Sequence, residues 1–347
     1  MSQKKALAII PHVTGALSVV GSCSILYDIL SDRNQKLKRP YYRILLGMSC
    51  ADAITSLWLG LSTWPIPLGT EGVYGAVGTT ASCTAQGFFI QLMVLSPIYN
   101  LNLSIYYLLR SKYQLTEEYI AKRYEKYMHA AAIIIGFGFA ILGLPLTLYN
   151  NANLWCWIAA YPSSCEDNSG DHGDVPCTRG QNAWLFRWLI FYGPIWLIIL
   201  AVTVIMIMLT RSVKVEEKII IEMQTEIRSR PNFNQINSSA LTDEQPRAPA
   251  PIALSETYRY ERSRQMFHQA VFYLGVFYIT WLFVTMSRMY QLITGESNFP
   301  LLVLHSIFGP LQGFLNFIVY LFLNGCFNQY SFGGDLVLIY GITNTRG

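Results

Sequence analysis

The stretch AWLFRWLIFYGPIWLIILAVTVIMIML, residues 183–209, contains a single charged side chain, Arg187. About 20 consecutive apolar residues are enough for an α-helix to cross a hydrocarbon core about 30 Å thick. Unpaired backbone groups are costly in lipid, so an apolar segment of this length crosses as a helix. The stretch therefore predicts a membrane-spanning helix.

Six further stretches of the same kind are present. They are residues 6–30, 41–64, 83–109, 127–149, 267–293 and 299–323, and with 183–209 they are numbered spans 1 to 7 in chain order. Only 13% of the 347 residues are charged, against about 25% in soluble domains. We therefore predict an all-α membrane fold, a bundle of seven transmembrane helices within residues 1–330.

The basic residues of the loops set the orientation. The first, third and fifth loops are rich in Lys and Arg, the second and sixth have none, and the fourth has only Arg179. The positive-inside rule places the odd-numbered loops in the cytoplasm. The N-terminus is then outside, and residues 331–347 form a short cytoplasmic tail. Lys4 and Lys5 oppose this orientation, but two charges do not outweigh the loops.

The fifth loop, residues 210–266, is the longest and is the third cytoplasmic loop in this orientation. Its middle, residues 228–257, is rich in Pro, Ser and Asn and cannot bury enough apolar surface to fold. We expect that part to be disordered. The flanking residues 213–227 and 258–265 are expected to extend spans 5 and 6 into the cytoplasm.

Four cysteines lie on the outer side: Cys83, Cys156, Cys165 and Cys177. An even number in an oxidising compartment indicates disulfides, and four cysteines allow three pairings. We favour Cys83–Cys156, which would pin the fourth loop over the mouth of the bundle. Cys165 and Cys177 would then close a small acidic loop.

Polar side chains at membrane depth are expensive and usually functional. Asp52 is the clearest case, about 16 Å into span 2 at 1.5 Å per residue. Asn100 and Asn102 lie in span 3, and Asn316 and Tyr320 lie in the inner half of span 7. These five could meet in a polar core, with a sodium ion near Asp52, that switches between two arrangements. A static hydrogen-bonded core that joins the helices is the alternative.

A second polar set lies nearer the outside and predicts a ligand pocket. Arg288 is within two turns of the outer end of span 6. It could pair with an anionic ligand inside the bundle, extend to the interface, or pair with another helix. The candidate pocket residues are Gln86, Gln91, Arg187, Arg288, Gln291 and His305.

Several chemistries are excluded by what the sequence lacks. No span contains a lysine, which a retinal Schiff base requires. The five histidines are scattered without metal-ligand spacing, and the sequence has no Gly-rich phosphate loop and no nucleophile motif. We therefore predict a protein that is not an enzyme, that has no metal-ligand cluster, and that binds no nucleic acid.

Seven spans, an external N-terminus, Cys83 at the top of span 3 and a partner cysteine in the fourth loop together resemble a G-protein-coupled receptor. The stretch YYRILLGMSCAD, residues 41–52, resembles span 2 of cyclic-AMP-receptor-like receptors of protists and plants. The stretch PLQGFLNFIVY, residues 310–320, resembles span 7 of that group. Its Gln-Gly-Phe core is also similar to secretin-like receptors.

The resemblance implies a bundle whose inner face opens on activation and promotes nucleotide exchange on the Gα subunit of a heterotrimeric G protein. An unknown small ligand would bind in the outer half of this lipid-embedded, multi-pass protein of the plasma membrane. The inner ends of spans 3, 5 and 6 would form the docking surface. Its candidate basic residues are Arg110, Lys112, Lys214, Lys218, Arg262 and Arg264. Basic residues in these loops could instead serve only to set the topology.

Two departures limit the resemblance. The inner end of span 3 reads SIYYLLR, residues 104–110, and not Asp-Arg-Tyr. Span 7 has Asn316 and Tyr320 without the proline of Asn-Pro-x-x-Tyr. The rhodopsin-like ionic switch is therefore not carried over. A seven-span transporter or channel is the alternative function, and it predicts flux across a membrane.

Overall fold

The structure is a computed structural model that describes residues 2–162, 165, 176–229, 251–294 and 298–324. These residues contain seven long helices, here labelled α1 to α7. Helix α1 is Ser2–Ser31, α2 is Pro40–Gly60, α3 is Thr80–Ser111 and α4 is Glu117–Leu142. Helix α5 consists of Ala183–Arg187, a π-helical turn at Trp188–Tyr192, and Gly193–Ser229; α6 is Pro251–Thr294; α7 is split into Phe299–Phe308 and Gln312–Asn324.

Most of these helices have the length and composition of membrane spans. Five qualify singly, and a sixth does when the two segments of α7 count as one span. Helix α2 is not in that set, since it carries several polar side chains. It buries Asp52, Thr55 and Ser56 against its neighbours. The seven-helix bundle that the sequence predicts is thus the architecture of the described residues.

Two helices differ from the predicted spans for local reasons. Span 4 was expected at residues 127–149, but α4 begins at Glu117, because Thr116 caps it by accepting a hydrogen bond from the backbone of Tyr119. Helix α4 ends at Leu142, close before Pro145, which disfavours helical geometry in the residue before it.

The helices on both sides of the long cytoplasmic loop extend further into it than predicted. Helix α5 continues to Ser229, and α6 already starts at Pro251. Of the segment 228–257 that we expected to be disordered, both ends therefore belong to helices, which continue the charged, helix-forming sequence that flanks it. The remaining residues, 230–250, lie outside the described residues, as does the predicted tail at 331–347.

A short β-hairpin lies between α4 and α5 on the outer side. Strand β1, Tyr149–Asn151, pairs antiparallel with strand β2, Cys156–Ile158. Their connection turns because Asn153 adopts a φ of 75° and donates its backbone N–H to the Asn151 side chain. A disulfide joins Cys83 at the start of α3 to Cys156 in β2, and a second joins Cys165 to Cys177. This is the pairing that we favoured, and it fixes the hairpin to the bundle.

Helix α1 approaches its two neighbours through glycines. A Cβ on Gly15 would lie 2.6 Å from Cα of Gly60 and 2.8 Å from the carbonyl oxygen of Ser56, both in α2. Farther along α1, a Cβ on Gly21 would lie 2.9 Å from Cα of Phe314 in α7. Small residues let helix backbones come close in a membrane. Helix α1 therefore packs tightly against both α2 and α7.

Helix α7 is bent by 50° between its two segments. Pro310 has no N–H, so the carbonyl of Ser306 lacks its helical donor. Thr14 Oγ1 of α1 donates to that carbonyl at 3.3 Å. Ser56 Oγ of α2 donates to the Pro310 carbonyl at 3.0 Å. Hydroxyl groups of two neighbouring helices thus satisfy the backbone groups that the bend exposes.

The second segment of α7 is also held by α1. Gly313 donates its backbone N–H to Ser18 Oγ at 2.9 Å, and the hydroxyl groups of Ser18 and Ser56 share a hydrogen bond of 2.9 Å. A Cβ on Gly313 would lie 2.1 Å from Ser22 Oγ. The approach therefore requires a glycine at position 313, and the bend is built from α1, α2 and α7 together.

Replacement of Gly15 by alanine tests this packing. Because the new Cβ would meet α2 backbone atoms, Gly15→Ala should lower the free energy of unfolding by about 1–3 kcal/mol. Gly138→Ala in α4 is the matched control, since nothing lies within 4 Å of its Cβ position. Thermal unfolding in detergent measures both. Equal midpoints for the two variants would contradict the close α1–α2 contact.

Candidate functional site

A buried carboxylate lies where α2, α3 and α7 meet. Asp52 is 3% exposed, and Asn316 Nδ2 donates to its Oδ2 at 2.8 Å. Ser96 of α3 also hydrogen-bonds the Asp52 side chain. Gln312 Nε2 donates to Ser96 Oγ at 2.6 Å. We call Asp52, Ser96, Gln312 and Asn316 the polar core; it joins three helices directly after the bend in α7.

Three oxygen atoms in and near the polar core lack hydrogen-bond partners within the described ranges. Ser49 Oγ, Asn100 Oδ1 and Asn316 Oδ1 are buried and have no hydrogen-bond partner among the described residues. Ser49 and Asn100 lie one helical turn from Asp52 and Ser96. No basic side chain of the described part of the chain pairs with Asp52. The arrangement can accept a cation, because oxygen atoms are the ligands that hard cations prefer.

Two residues that we expected in this core lie elsewhere. Asn102 donates to the backbone carbonyl of Met128 at 3.0 Å and so links α3 to α4. Tyr320 donates its hydroxyl to Asp28 Oδ2 in α1, which is also 2.7 Å from Lys36 Nζ. The prediction of one five-residue core is therefore corrected: Asp52 and Asn316 bond directly, Asn100 donates to the backbone carbonyl of Ser96, and the other two belong to separate contacts.

The β-hairpin fills the outer mouth of the bundle with two tryptophans. Trp155 and Trp157 are each 3% exposed. Trp157 Nε1 donates to Gln91 Oε1 of α3 at 2.9 Å, and its ring centroid lies 4.7 Å from that of Phe191 in α5. The Trp155 ring lies 5.4 Å from the His305 ring of α7. The hairpin thus occupies the space between the outer ends of the helices.

Little room is left beneath the hairpin. A cavity of about 10 Å³ remains there, and Arg288 and His305 are among its lining residues. That volume corresponds to about one water molecule. Aromatic contacts continue inward from it: the Phe191 ring lies 5.9 Å from Trp281 of α6, and Trp281 lies 6.3 Å from Phe277. A row of packed rings therefore connects the hairpin to the middle of α6.

A much larger cavity opens on the outer side of the hairpin. Its volume is about 740 Å³. The hairpin, the loop before α3, the start of α5 and the end of α6 supply its walls. Three of the predicted pocket residues, Arg187, Arg288 and Gln291, line it.

The other predicted pocket residues have different positions. Gln86 donates to the carbonyls of Trp58 and Ser62 and accepts from the backbone N–H of Cys156, so it fastens the hairpin. Gln91 also uses both ends of its side-chain amide, and its Oε1 accepts from Trp157. Its Nε2 donates to the carbonyl of Ile190, in the π-helical turn of α5. His305 lines the small inner cavity and not the large one. The prediction that Gln86 and Gln91 contact a ligand is therefore corrected. Both residues support the hairpin, and neither lines either of the two cavities.

At the cytoplasmic end, one buried carboxylate links α3, α5 and α6. Glu216 of α5 has a side chain only 9% exposed, and its Oε1 lies 3.3 Å from Gln114 Nε2 and 3.7 Å from Arg259 Nε of α6. Gln114 also donates to Ser263 Oγ of α6 at 3.4 Å. The Ser263 side chain also lies near the Glu216 carboxylate, and Glu216 Oε2 is buried without a hydrogen-bond partner among the described residues. We call Gln114, Glu216, Arg259 and Ser263 the Glu216 cluster.

The Glu216 cluster is not among the predicted sites, although the sequence carries a signal for it. Val213, Glu216 and Ile220 are all buried and lie at spacings of three and four, on one face of α5. A carboxylate on an otherwise apolar helical stripe indicates a buried partner. Gln114 gave no such signal, because it follows the end of α3 and has a φ of 52°.

The six predicted docking residues divide into two groups. Arg110 is 5% exposed, and it donates to the carbonyl of Leu115 at 2.5 Å and lies 3.6 Å from Glu117. It therefore anchors the loop after α3 and does not face the cytoplasm, which corrects its assignment. The others are accessible: Lys112, Lys214, Lys218 and Arg264 are exposed, and Arg262 is half-buried.

Comparison with known proteins supports the fold and nothing finer. No family model matches the chain, and no curated protein matches it. The crystal structure of squid rhodopsin is similar, with a TM-score of 0.59 and 15% sequence identity, over 91% of this chain and 76% of that one. The chain therefore has a seven-helix fold similar to that of squid rhodopsin. The cyclic-AMP-receptor-like branch stays a prediction, because identity this low shows the fold alone.

Proposed function

We propose that this protein is a G-protein-coupled receptor that converts the binding of a small extracellular ligand into nucleotide exchange on a cytoplasmic Gα subunit. The Glu216 cluster is the observation that carries the proposal. It joins the inner ends of α3, α5 and α6, the helices whose separation would open a cytoplasmic cleft in a rhodopsin-like bundle. The plasma membrane is its proposed location, since two disulfides on one side suit a surface facing an oxidising compartment.

The strength of the Glu216 cluster suits a reversible switch. A hydrogen bond inside a protein stabilises it by about 0.5–1.5 kcal/mol net, and an ion pair near the surface by less. A few such contacts can hold a closed state that is favoured by only a few kcal/mol. A ligand with a modest preference for the open state then shifts the populations.

The outer cavity is the proposed ligand site. Its volume of about 740 Å³ lies within the roughly 300–1,000 Å³ of small-molecule pockets. Arg288 lines both this cavity and the small one beneath the hairpin. From there the row of rings through Phe191 and Trp281 leads along α6 toward the Glu216 cluster. A ligand that moves Arg288 or Trp157 therefore has a packed route to the inner face.

The polar core fits the sodium ion that the sequence suggests. Asp52 supplies a carboxylate, and Asn100 and Asn316 offer side-chain oxygens that lack partners among the described residues. We propose that Na⁺ at these atoms stabilises the closed state, as a charge-compensating ligand of a buried carboxylate. The proposed G-protein contacts are the accessible basic residues of the inner ends, namely Lys112, Lys214, Lys218, Arg262 and Arg264.

A nucleotide-sensitive complex with Gα is the direct test. The chain is isolated from its native membranes with and without a non-hydrolysable GTP analogue, and co-purified Gα is measured. A receptor holds nucleotide-free Gα and releases it when GTP binds, so we expect Gα only in the absence of the analogue. Folded protein that carries no Gα under either condition, and that gives ion or solute flux in proteoliposomes, would support the transporter or channel alternative.

Loss of the Glu216 carboxylate should raise basal signalling. In Glu216→Ala, Gln114 and Arg259 lose their shared acceptor, so the closed state loses about 1–3 kcal/mol. We expect about 5- to 150-fold more open receptor without ligand, for as long as the closed state remains the more populated one. Binding of a labelled GTP analogue to membranes that contain Gα measures it.

Glu222→Ala is the matched control for that variant. Glu222 lies on the same helix and pairs with Lys218 at 3.6 Å, but both side chains are more than half exposed. Exposed pairs of this kind contribute little. Basal exchange should therefore equal that of the unmodified protein. The same rise in both variants would show that a general loosening of α5 is responsible, and the proposed role of Glu216 would be lost.

Asp52→Asn tests the sodium proposal. The amide can still accept from Asn316, so the fold should persist, but the charge that attracts a cation is gone. We expect Na⁺ to raise the thermal midpoint of the unmodified protein relative to choline at equal ionic strength, and to leave that of Asp52→Asn unchanged. A sodium effect of the same size in both proteins would place the ion elsewhere.

A further inference from the structure

Arginine side chains dominate the charge of the outer cavity. Arg179, Arg187 and Arg288 all line it, and among its described lining residues Glu71 is the only carboxylate. Guanidinium groups present several N–H donors in a planar fork that matches carboxylate and phosphate oxygens. The cavity wall thus offers cationic donors from the hairpin side, from α5 and from α6.

Hydrogen bonds fix the side chain of Arg179 and leave one of its donor groups without an acceptor among the described residues. Its Nε donates to Asn150 Oδ1 at 2.7 Å, and its Nη2 lies 3.4 Å from Thr84 Oγ1 and 3.5 Å from the carbonyl of Tyr149. Its Nη1 has no hydrogen bond to any residue that the structure describes. A guanidinium fixed in this way loses little entropy when it binds a ligand.

Arg288 carries an unsatisfied donor at the other side of the cavity. Its Nη1 donates to Gln291 Oε1 at 2.7 Å, and the guanidinium also lies near the hydroxyl of Tyr192. Its Nε is buried without a partner among the described residues. A buried donor without an acceptor costs free energy that an incoming acceptor recovers. Its guanidinium carbon lies 6.0 Å from the ring centroid of Trp157, so a change at Arg288 reaches the hairpin directly.

We propose that the outer cavity binds a small soluble anion with a carboxylate or phosphate group, which accepts hydrogen bonds from Arg179 and Arg288. The inference rests on the proposed receptor function for its role as a signal, but the binding site stands on the cavity and its arginines. The space between the helices does not compete as a site, because Trp155 and Trp157 leave only about 10 Å³ there.

Two lysines lie beside the loop before α3 that supplies part of the cavity wall. Lys5 Nζ lies 5.3 Å from the ring centroid of Tyr74, in the loop that also supplies Glu71 to the cavity wall. Lys4 Nζ lies beside Gly72 in the same loop. These are the two lysines that oppose the positive-inside pattern. Positive charge around a concave opening raises the local concentration of anions and their rate of association.

Direct binding of two probe anions tests the proposal. The full chain in uncharged detergent is dialysed against radiolabelled inorganic pyrophosphate or radiolabelled citrate at constant ionic strength. We expect saturable binding of at least one of them. Arg288→Gln and Arg179→Gln should each weaken it about tenfold or more, the effect of losing one charge-assisted hydrogen bond. Arg288→Lys keeps the charge without the fork, so its loss should be smaller than that of Arg288→Gln.

Arg211→Gln is the matched control, because Arg211 is an exposed arginine on the cytoplasmic part of α5. It should bind the probe anion like the unmodified protein. An equal loss in Arg211→Gln would mean that the anions respond only to overall charge and would overturn the site. Absence of saturable binding in the unmodified protein, or saturable binding of the polycation spermine instead, would overturn it too. Unchanged thermal midpoints without anion establish that each variant is folded.

A further arm distinguishes a soluble anion from a lipid headgroup. Binding of pyrophosphate is repeated in nanodiscs of phosphatidylcholine with and without phosphatidylglycerol. A soluble anion site that opens between the outer loops should bind equally in both. Displacement of pyrophosphate by the anionic lipid would overturn the assignment to a soluble ligand.

The binding assay contains no G protein, so its failure is distinct from failure of the receptor proposal. If a GTP-sensitive complex with Gα forms and neither anion binds, only the ligand class is wrong. If an anion binds through Arg179 and Arg288 and no complex with Gα forms, the site stands and the receptor function does not.

Discussion

The requirement that every backbone carbonyl find a donor inside the membrane organises the middle of this bundle. Pro310 removes one helical donor from α7, and Thr14 and Ser56 supply hydroxyl groups to the carbonyls at the bend. Those hydroxyls can reach α7 only because α1 approaches both α2 and α7 through glycines. The bend in turn directs Asn316 onto Asp52. The polar core therefore depends on the hydrogen bonds that α1 and α2 donate to the backbone carbonyls at the bend in α7. A change in the bend must alter the core.

Helix α6 is the element shared by the outer cavity, the row of aromatic rings and the cytoplasmic end. Arg288 lies near its outer end, Trp281 packs against Phe191 in its middle, and Ser263 belongs to the Glu216 cluster. The contacts at the two ends are polar and the contacts between them are apolar. Packed aromatic rings transmit displacement because interiors have little free volume. Such a displacement can break the weak polar contacts at the cytoplasmic end of α6. The order of contact types along α6 therefore suits the transmission of a displacement from the outer cavity to the Glu216 cluster.

Some features followed from the sequence because they depend on one segment at a time. Apolar length predicted the helices, the basic loops predicted an orientation, and four outer cysteines gave three pairings of which the structure has the favoured one. The hairpin with Trp155 and Trp157 inside the bundle did not follow. A strand of three residues carries almost no periodic signal, and its depth depends on the disulfide to α3 and on the hydrogen bonds of Gln86, which no local pattern encodes.

The depth of a residue in the membrane is not enough to predict which residues form the polar core. Depth along a helix can be counted at 1.5 Å per residue, but each residue also turns by about 100°. Asn100 and Asn102 are therefore on nearly opposite faces of α3, so one reaches toward the polar core while the other bonds Met128 of α4. Asn316 and Tyr320 share a face of α7 but are one turn apart, which places the tyrosine at Asp28 and not at Asp52. Rotation as well as depth decides which polar groups meet, and in α3 the 3₁₀ turn at Leu92–Val94 changes that rotation within the helix itself.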